Sequence, residues 1–268
     1  MSATPINQSV VELSGLTHDY GSVVAPGVTG LVGANGAGKT TMLRILLGLL
    51  HPTAGNAKVL GHDSEKEPLD VRSRVGYMPE GSCIPSDLTA AEFVAYTAQL
   101  AGLPSSDAKR RASETLFLVG LAEERFRFLG DFSTGMKQRV NLAQALVHDP
   151  DLILLDEPAS GLDPKGRDQM LALIRRLGKL GLNIIMSSHV LTDIETTCNW
   201  VVMLDGGRLL RSGPLGQFDR KSTVLVEVVD HAQRVADRLG TEGIESHVDQ
   251  RRLGVVPGES TLEHRVVS

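Results

Sequence analysis

Apolar and polar positions fall into two rhythms along this chain. Residues 28–32 form a short apolar, β-branched run that breaks into Gly33-Ala34-Asn35-Gly36-Ala37-Gly38. Helical spacing then runs from Lys39 to Leu50 and stops at His51-Pro52. Leu152-Ile153-Leu154-Leu155 is an unbroken apolar stretch between two aspartates, the pattern of a strand buried on both faces. Residues 183–187, with Ile184-Ile185-Met186, repeat that pattern. Between them, residues 164–180 carry Met170, Leu171, Leu173, Ile174 and Leu177 at helical spacing. Strands alternating with helices predict a mainly parallel sheet covered on both faces.

Residues 87–129 differ: the pattern is helical nearly throughout, interrupted by Gly102-Leu103-Pro104 and again near Gly120. This predicts a helical subdomain, about residues 81–148, inserted into the α/β core. Residues 200–204 and 208–211 flank Asp205-Gly206-Gly207 and predict a hairpin. After Gly213-Pro214 the tail changes character, with strand-like residues 223–229 and 254–256 around a helical stretch at 231–239. The expected division is a main domain over residues 1–220 and a small α+β appendage over 221–268.

Composition narrows the class. Of 268 residues, 41% are hydrophobic and 22% charged, as in a soluble globular protein large enough for a sizeable core. A net charge of -5 argues against a broad nucleic-acid surface, which needs clustered Lys and Arg. The two cysteines, Cys83 and Cys198, form no metal pattern and no disulfide framework, so a reducing compartment is expected. No signal peptide is visible at the start, and no apolar run reaches the ~18 residues that span a bilayer. A role at a membrane would require another chain to cross it.

Three segments carry chemistry. Gly33 to Thr40 matches G-x-x-x-x-G-K-[ST] and lies between a strand and a helix. The glycines allow a tight curl that turns the amides of Gly36, Gly38, Lys39 and Thr40 onto phosphate oxygens, with the positive end of the next helix behind them. Lys39 would neutralise β- and γ-phosphates, and the Thr40 hydroxyl would bind Mg²⁺. The second segment ends the strand at residues 152–155 with Asp156-Glu157-Pro158; adjacent acids there need a partner, which a magnesium nucleotide supplies. Asp156 would orient Mg²⁺ and Glu157 would polarise the attacking water. The third, Ser133-Thr134-Gly135-Met136-Lys137-Gln138, offers Ser133 as the cap of an amphipathic helix whose free amides face outward. Taken locally, this is an ordinary capped helix.

In order, the phosphate loop, the Ser133 segment, Asp156-Glu157-Pro158, Ser160-Gly161-Leu162-Asp163 and the lone His189 after a strand resemble the ABC ATPase series, over roughly residues 10–218. The resemblance implies a P-loop NTPase core with a small antiparallel β subdomain and an inserted helical subdomain. It also implies an ATPase with ATP and Mg²⁺ as cofactors, on the cytoplasmic face of a membrane. In such proteins ATP is clamped between two protomers. Carried over, Gly33, Ala34, Asn35, Gly36, Ala37, Gly38, Lys39, Thr40 and Thr41 hold nucleotide, while the partner copy's signature segment, equivalent to Ser133 and Gly135, caps it. Asp163 lies at the dimer seam, and His189 contacts the γ-phosphate and orients the water. Implied partners are a second ATPase subunit, identical or paired, and a membrane-spanning subunit; no nucleic acid is expected.

The chain departs from the family pattern in places. The Ser-Thr-Gly-Met-Lys-Gln signature resembles the ABC-2 export branch rather than the usual Leu-Ser-Gly-Gly-Gln. Glu80, in Val75-Gly76-Tyr77-Met78-Pro79-Glu80, stands where the family normally has Gln, and its carboxylate still suits Mg²⁺ or a water. Tyr20 resembles the aromatic that stacks on adenine. Only residues 22–32 separate Tyr20-Gly21 from the phosphate loop, so a strand or hairpin of the antiparallel subdomain is expected to be missing. The favoured reading is the ATPase subunit of an exporter. The alternative is a non-transport ABC ATPase acting on ribosomes or DNA, which usually joins two ATPase halves or inserts long coiled coils.

Overall fold

The computed structural model describes residues 10–14, 21–22, 27–81, 84–217, 224–227, 246–249 and 252–255. The chain divides into two compact units, Met1–Leu215 and Gly216–Ser268. In chain order the strands of the first unit are β1 (Val11–Ser14), β2 (Gly21–Ser22), β3 (Val28–Val32), β4 (Asn56–Val59), β5 (His62–Asp63), β6 (Val75–Met78), β7 (Leu152–Leu155), β8 (Asn183–Ser188), β9 (Trp200–Asp205) and β10 (Arg208–Pro214). Its helices are α1 (Lys39–Leu46), α2 (Pro68–Arg74), α3 (Ala90–Leu100), α4 (Ser105–Leu118), α5 (Thr134–Leu146), α6 (Pro164–Lys179) and α7 (Leu191–Thr197).

The main sheet has the order β10-β9-β3-β8-β7-β6. Neighbours from β9 to β6 run parallel, and β10 closes one edge antiparallel to β9 as the expected hairpin. All four residues of β7 are fully buried, which explains the absence of polar positions in Leu152-Ile153-Leu154-Leu155. A second sheet, β2-β1-β4-β5, is antiparallel throughout. Among the described residues it has four strands, of which β2 is only two residues long. Val11, Val59, Leu43 and Leu46 share one core cluster with Leu152 and Leu154, so the small sheet packs over α1 and the end of the main sheet.

The inserted helical region is α3, α4 and α5. Helix α3 starts in a capping box: the Thr89 hydroxyl accepts from Glu92 N–H, and the Glu92 carboxylate accepts from Thr89 N–H. The helical pattern after Gly120 is not realised as helix. Residues 122–126 form turns, and a 3-10 turn follows at Leu129–Asp131. Helix α1 also stops before Leu50, because Gly48 takes φ 64° and the amides of Leu49 and Leu50 both return to Arg44 O. In the second unit, β11 (Val224–Glu227), β12 (Ser246–Asp249) and β13 (Arg252–Val255) form an antiparallel sheet of order β11-β13-β12. The helix expected at residues 231–239 lies outside the described residues.

Candidate functional site

Parallel strands point their C-terminal ends to one edge of the sheet, and a crevice there is the usual ligand site of such folds. Four adjacent strands deliver the predicted chemistry to this edge. Gly33 follows β3, His189 follows β8, Asp156 follows β7, and Glu80 lies two residues past β6. Asp156 N–H donates to Met78 O at 2.8 Å, which ties the ends of β7 and β6 together.

Gly33 packs so close to the end of β9 and to Ala37 that a side chain there would collide with Leu204 O. Gly36 and Gly38 adopt φ 82° and 100°, the left-handed region that favours glycine. Helix α1 then starts at Lys39 with no side-chain cap, so its first-turn amides are left for another acceptor. Residues 35–41, Glu80 and Glu157 line a cleft of about 380 Å³. The positive end of α1 makes that cleft favourable for an anion.

Buried charge fills the cleft's floor. Lys39 is only 6% exposed; its ammonium donates to Gly33 O at 2.7 Å and Ala34 O at 3.3 Å, and lies 3.4 Å from Glu157 Oε1. Glu157 reaches the other way to His189, whose Nδ1 is 3.0 Å from Oε2. The Glu157 backbone has φ 49°, a strained conformation for a non-glycine residue, held by its N–H donating to Ser187 Oγ at 2.8 Å. Ser187 Oγ in turn donates to Asp156 Oδ1 at 2.7 Å. One hydroxyl therefore orients both acids.

Asp156 is 1% exposed, and its Oδ2 is buried with no hydrogen-bond partner. An ionised oxygen so placed is costly unless a cation answers it. Thr40, in the first turn of α1, and Glu80 line the cleft, so with Asp156 the donor set offered is all oxygen, as suits Mg²⁺. Tyr77, on β6, has its hydroxyl pKa pushed up, first by burial and then by the Asp156 carboxylate. It therefore stays protonated beside that acid.

A second cleft, of about 730 Å³, is lined by Ser133, Gly135, Arg139, Leu162, Asp163 and residues around them. Two helices begin at it. Ser133 Oγ caps α5 by accepting from Met136 N–H at 3.3 Å, and Asp163 Oδ1 caps α6 by accepting from Gly166 N–H at 3.2 Å. The two clefts share no lining residue. The structure thus gathers Gly33–Thr41, Glu80, Asp156, Glu157 and His189 in one place, and Ser133, Gly135 and Asp163 in another. Tyr20 lies outside the described residues. Ser187 escaped the sequence reading; its signal is a hydroxyl following the apolar run Ile184-Ile185-Met186 of a buried strand.

Comparison with known proteins identifies the family. The ABC transporter domain family matches residues 20–160. An uncharacterized ABC transporter ATP-binding protein of Nostoc sp. is 42% identical over 219 residues, covering 80% of this chain and 63% of that protein. The chain thus spans less than two thirds of the length of this and other curated relatives that it matches. The bacitracin transport ATP-binding protein BcrA of Bacillus licheniformis is 36% identical over 82% of this chain and 74% of its own length. The daunorubicin/doxorubicin resistance ATP-binding protein DrrA of Streptomyces peucetius is 34% identical over 78% and 66%. A solved ATP-binding subunit of an ABC transporter superposes with a TM-score of 0.65 at 28% identity, covering 79% of this chain and 92% of that one. The chain belongs to the ABC transporter family, among its ATP-binding subunits.

Proposed function

We propose that this chain binds ATP with Mg²⁺ in the cleft at Gly33–Thr41 and hydrolyses it to drive transport, in the export direction, through a separate membrane-spanning subunit. The observation that carries the reading is the position of Glu157, a strained, buried acid held between Lys39 and His189 at the mouth of a phosphate-binding loop. No structural need explains that combination, whereas a hydrolytic site does.

In this reading the amides opening α1 and the Lys39 ammonium bind the phosphates. Mg²⁺ would be held by Asp156, Thr40 and Glu80, and it would neutralise charge on the β- and γ-phosphate oxygens. Glu157 accepts a proton from the attacking water, and His189, through Glu157 Oε2, keeps the carboxylate aimed and contacts the γ-phosphate. Lys39 holds Glu157 Oε1 in the structure, so nucleotide entry redirects that ammonium toward phosphate. Ser133, Gly135 and Asp163 cap the nucleotide held by a second copy, which explains why their cleft lies apart from the phosphate loop. Tyr20 stacks on adenine.

Export is supported by the Ser-Thr-Gly-Met-Lys-Gln signature and by relatives named for bacitracin transport and for daunorubicin/doxorubicin resistance. A membrane partner is supported by the exposed apolar side chains of the helical region, Tyr96, Leu100, Phe117, Phe126 and Phe128. No helix among the described residues is long and apolar enough to cross a membrane. Phosphate release from Mg-ATP by the purified chain, together with co-elution in detergent of a chain bearing about six apolar spans, is the expected result. Phosphate release without any membrane protein, and recovery on ribosomes instead, would overturn the transport assignment.

A further inference from the structure

Behind His189 lies a polar chain that the hydrolytic roles do not use. Asp193, in the first turn of α7, is 5% exposed. Both Arg167 Nε and Arg167 Nη2 converge on its Oδ1, at 2.8 and 2.7 Å. Its other oxygen, Oδ2, accepts from Ser188 Oγ at 3.2 Å, the one hydroxyl proton being shared with Val190 O at 3.3 Å. Ser188, 2% exposed, also accepts the Val190 N–H at 3.0 Å, so its hydroxyl bridges the two residues on either side of His189. At the far end, Arg167 is in the first turn of α6, with its N–H bonded to Asp163 O at 2.9 Å. A void of about 20 Å³ is lined by Glu157, Arg167, Ser188, His189 and Asp193 together, so this chain and the acid–histidine pair share one wall.

A part-buried ion pair alone is poor evidence of a stabilising purpose, because desolvation of the buried charge offsets much of the attraction. The direction of this one is informative instead. It links the turn that starts α6, which opens onto the second cleft, to the turn that aims His189 into the first. We propose that Arg167, Asp193 and Ser188 are positioning residues that make the aim of His189 depend on the placement of the Asp163 turn. The inference rests on the hydrolytic reading of Glu157 and His189. None of the three residues lines the cleft at Gly33–Thr41; each acts through the next.

The test uses Ser188→Ala, which interrupts the relay but leaves the Arg167–Asp193 pair intact, and Arg167→Lys, which keeps the charge and loses the planar fork. Each is expected to lower kcat for Mg-ATP about tenfold or more, the effect of a small misplacement at a reacting centre, with KM for ATP within about twofold of the parent. The double variant should be no slower than the worse single variant, because residues in one network couple rather than add. A purely structural pair would lower the melting temperature and leave kcat per folded molecule unchanged, and that result overturns the relay. Amide exchange at Val190 gives an independent reading in Arg167→Lys: acceleration of about tenfold is expected for a loosened turn, and unchanged protection overturns the proposal. If the parent chain binds Mg-ATP yet releases no phosphate, the hydrolytic reading fails by itself, and the exchange at Val190 still decides whether Arg167 holds the turn.

Discussion

The cleft at Gly33–Thr41 is charged and closed at its floor, with Lys39, Asp156 and Glu157 at 6%, 1% and 8% exposure. The cleft at Ser133 and Asp163 is the reverse: both side chains are exposed, and each is engaged in capping its own helix. The first is preorganised by buried side chains that pair with one another, Lys39 with Glu157 and Asp156 with Ser187. The second is preorganised by two helix starts, each capped by its own exposed side chain, facing one opening. Function at the first therefore draws on fold stability, while function at the second depends on what is brought to it.

This contrast predicts unequal consequences for substitution. The largest effect belongs to Lys39→Ala. It removes the phosphate counter-charge and leaves Glu157 buried without its cation, so ATP binding should vanish and unfolding free energy should fall by about 3–5 kcal/mol. Titration calorimetry and urea unfolding report the two effects separately; an unshifted urea midpoint would show that the buried pair contributes nothing to the fold. Next comes Asp156→Asn, expected to weaken Mg²⁺ affinity about 10–100-fold, read as an upward shift in the Mg²⁺ concentration for half-maximal nucleotide binding. If the Mg²⁺ dependence stays in place, the orphaned Oδ2 is not a cation ligand. The smallest effect is expected for Ser133→Gly in the second cleft. Loss of the cap by that route costs only a few tenths of a kcal/mol, ATP affinity of the single chain should not move, and turnover alone should fall. A loss of ATP affinity equal to that of the first-cleft variants would erase the distinction between the clefts.

Much of this was legible in the sequence where chemistry and chain geometry coincide locally. The phosphate loop is one continuous segment, and a run such as Leu152-Ile153-Leu154-Leu155 has few destinations other than a central parallel strand. Boundaries set by a single glycine were less legible: Gly48 ends α1 short of the apolar Leu49 and Leu50, which the helical pattern had included. The strand β12 carries His247 and Asp249 in a four-residue stretch with little apolar signal. Side chains whose meaning is purely tertiary were invisible. Ser187 joins Asp156 to Glu157, and Arg167 meets Asp193 across 26 positions of sequence, so neither spacing marks a motif. The distance between the signature segment and the phosphate loop is likewise a property of the folded chain, although the resemblance had implied that two copies share one nucleotide.

The central claim is that Glu157 acts on a triphosphate held before Lys39. It is tested most directly by measuring ATP binding and phosphate release side by side in the parent chain and in Glu157→Gln, which preserves shape and removes the base. Binding should stay within about threefold while release falls on the order of a hundredfold or more. Release at the parental rate, with binding intact, would contradict the account.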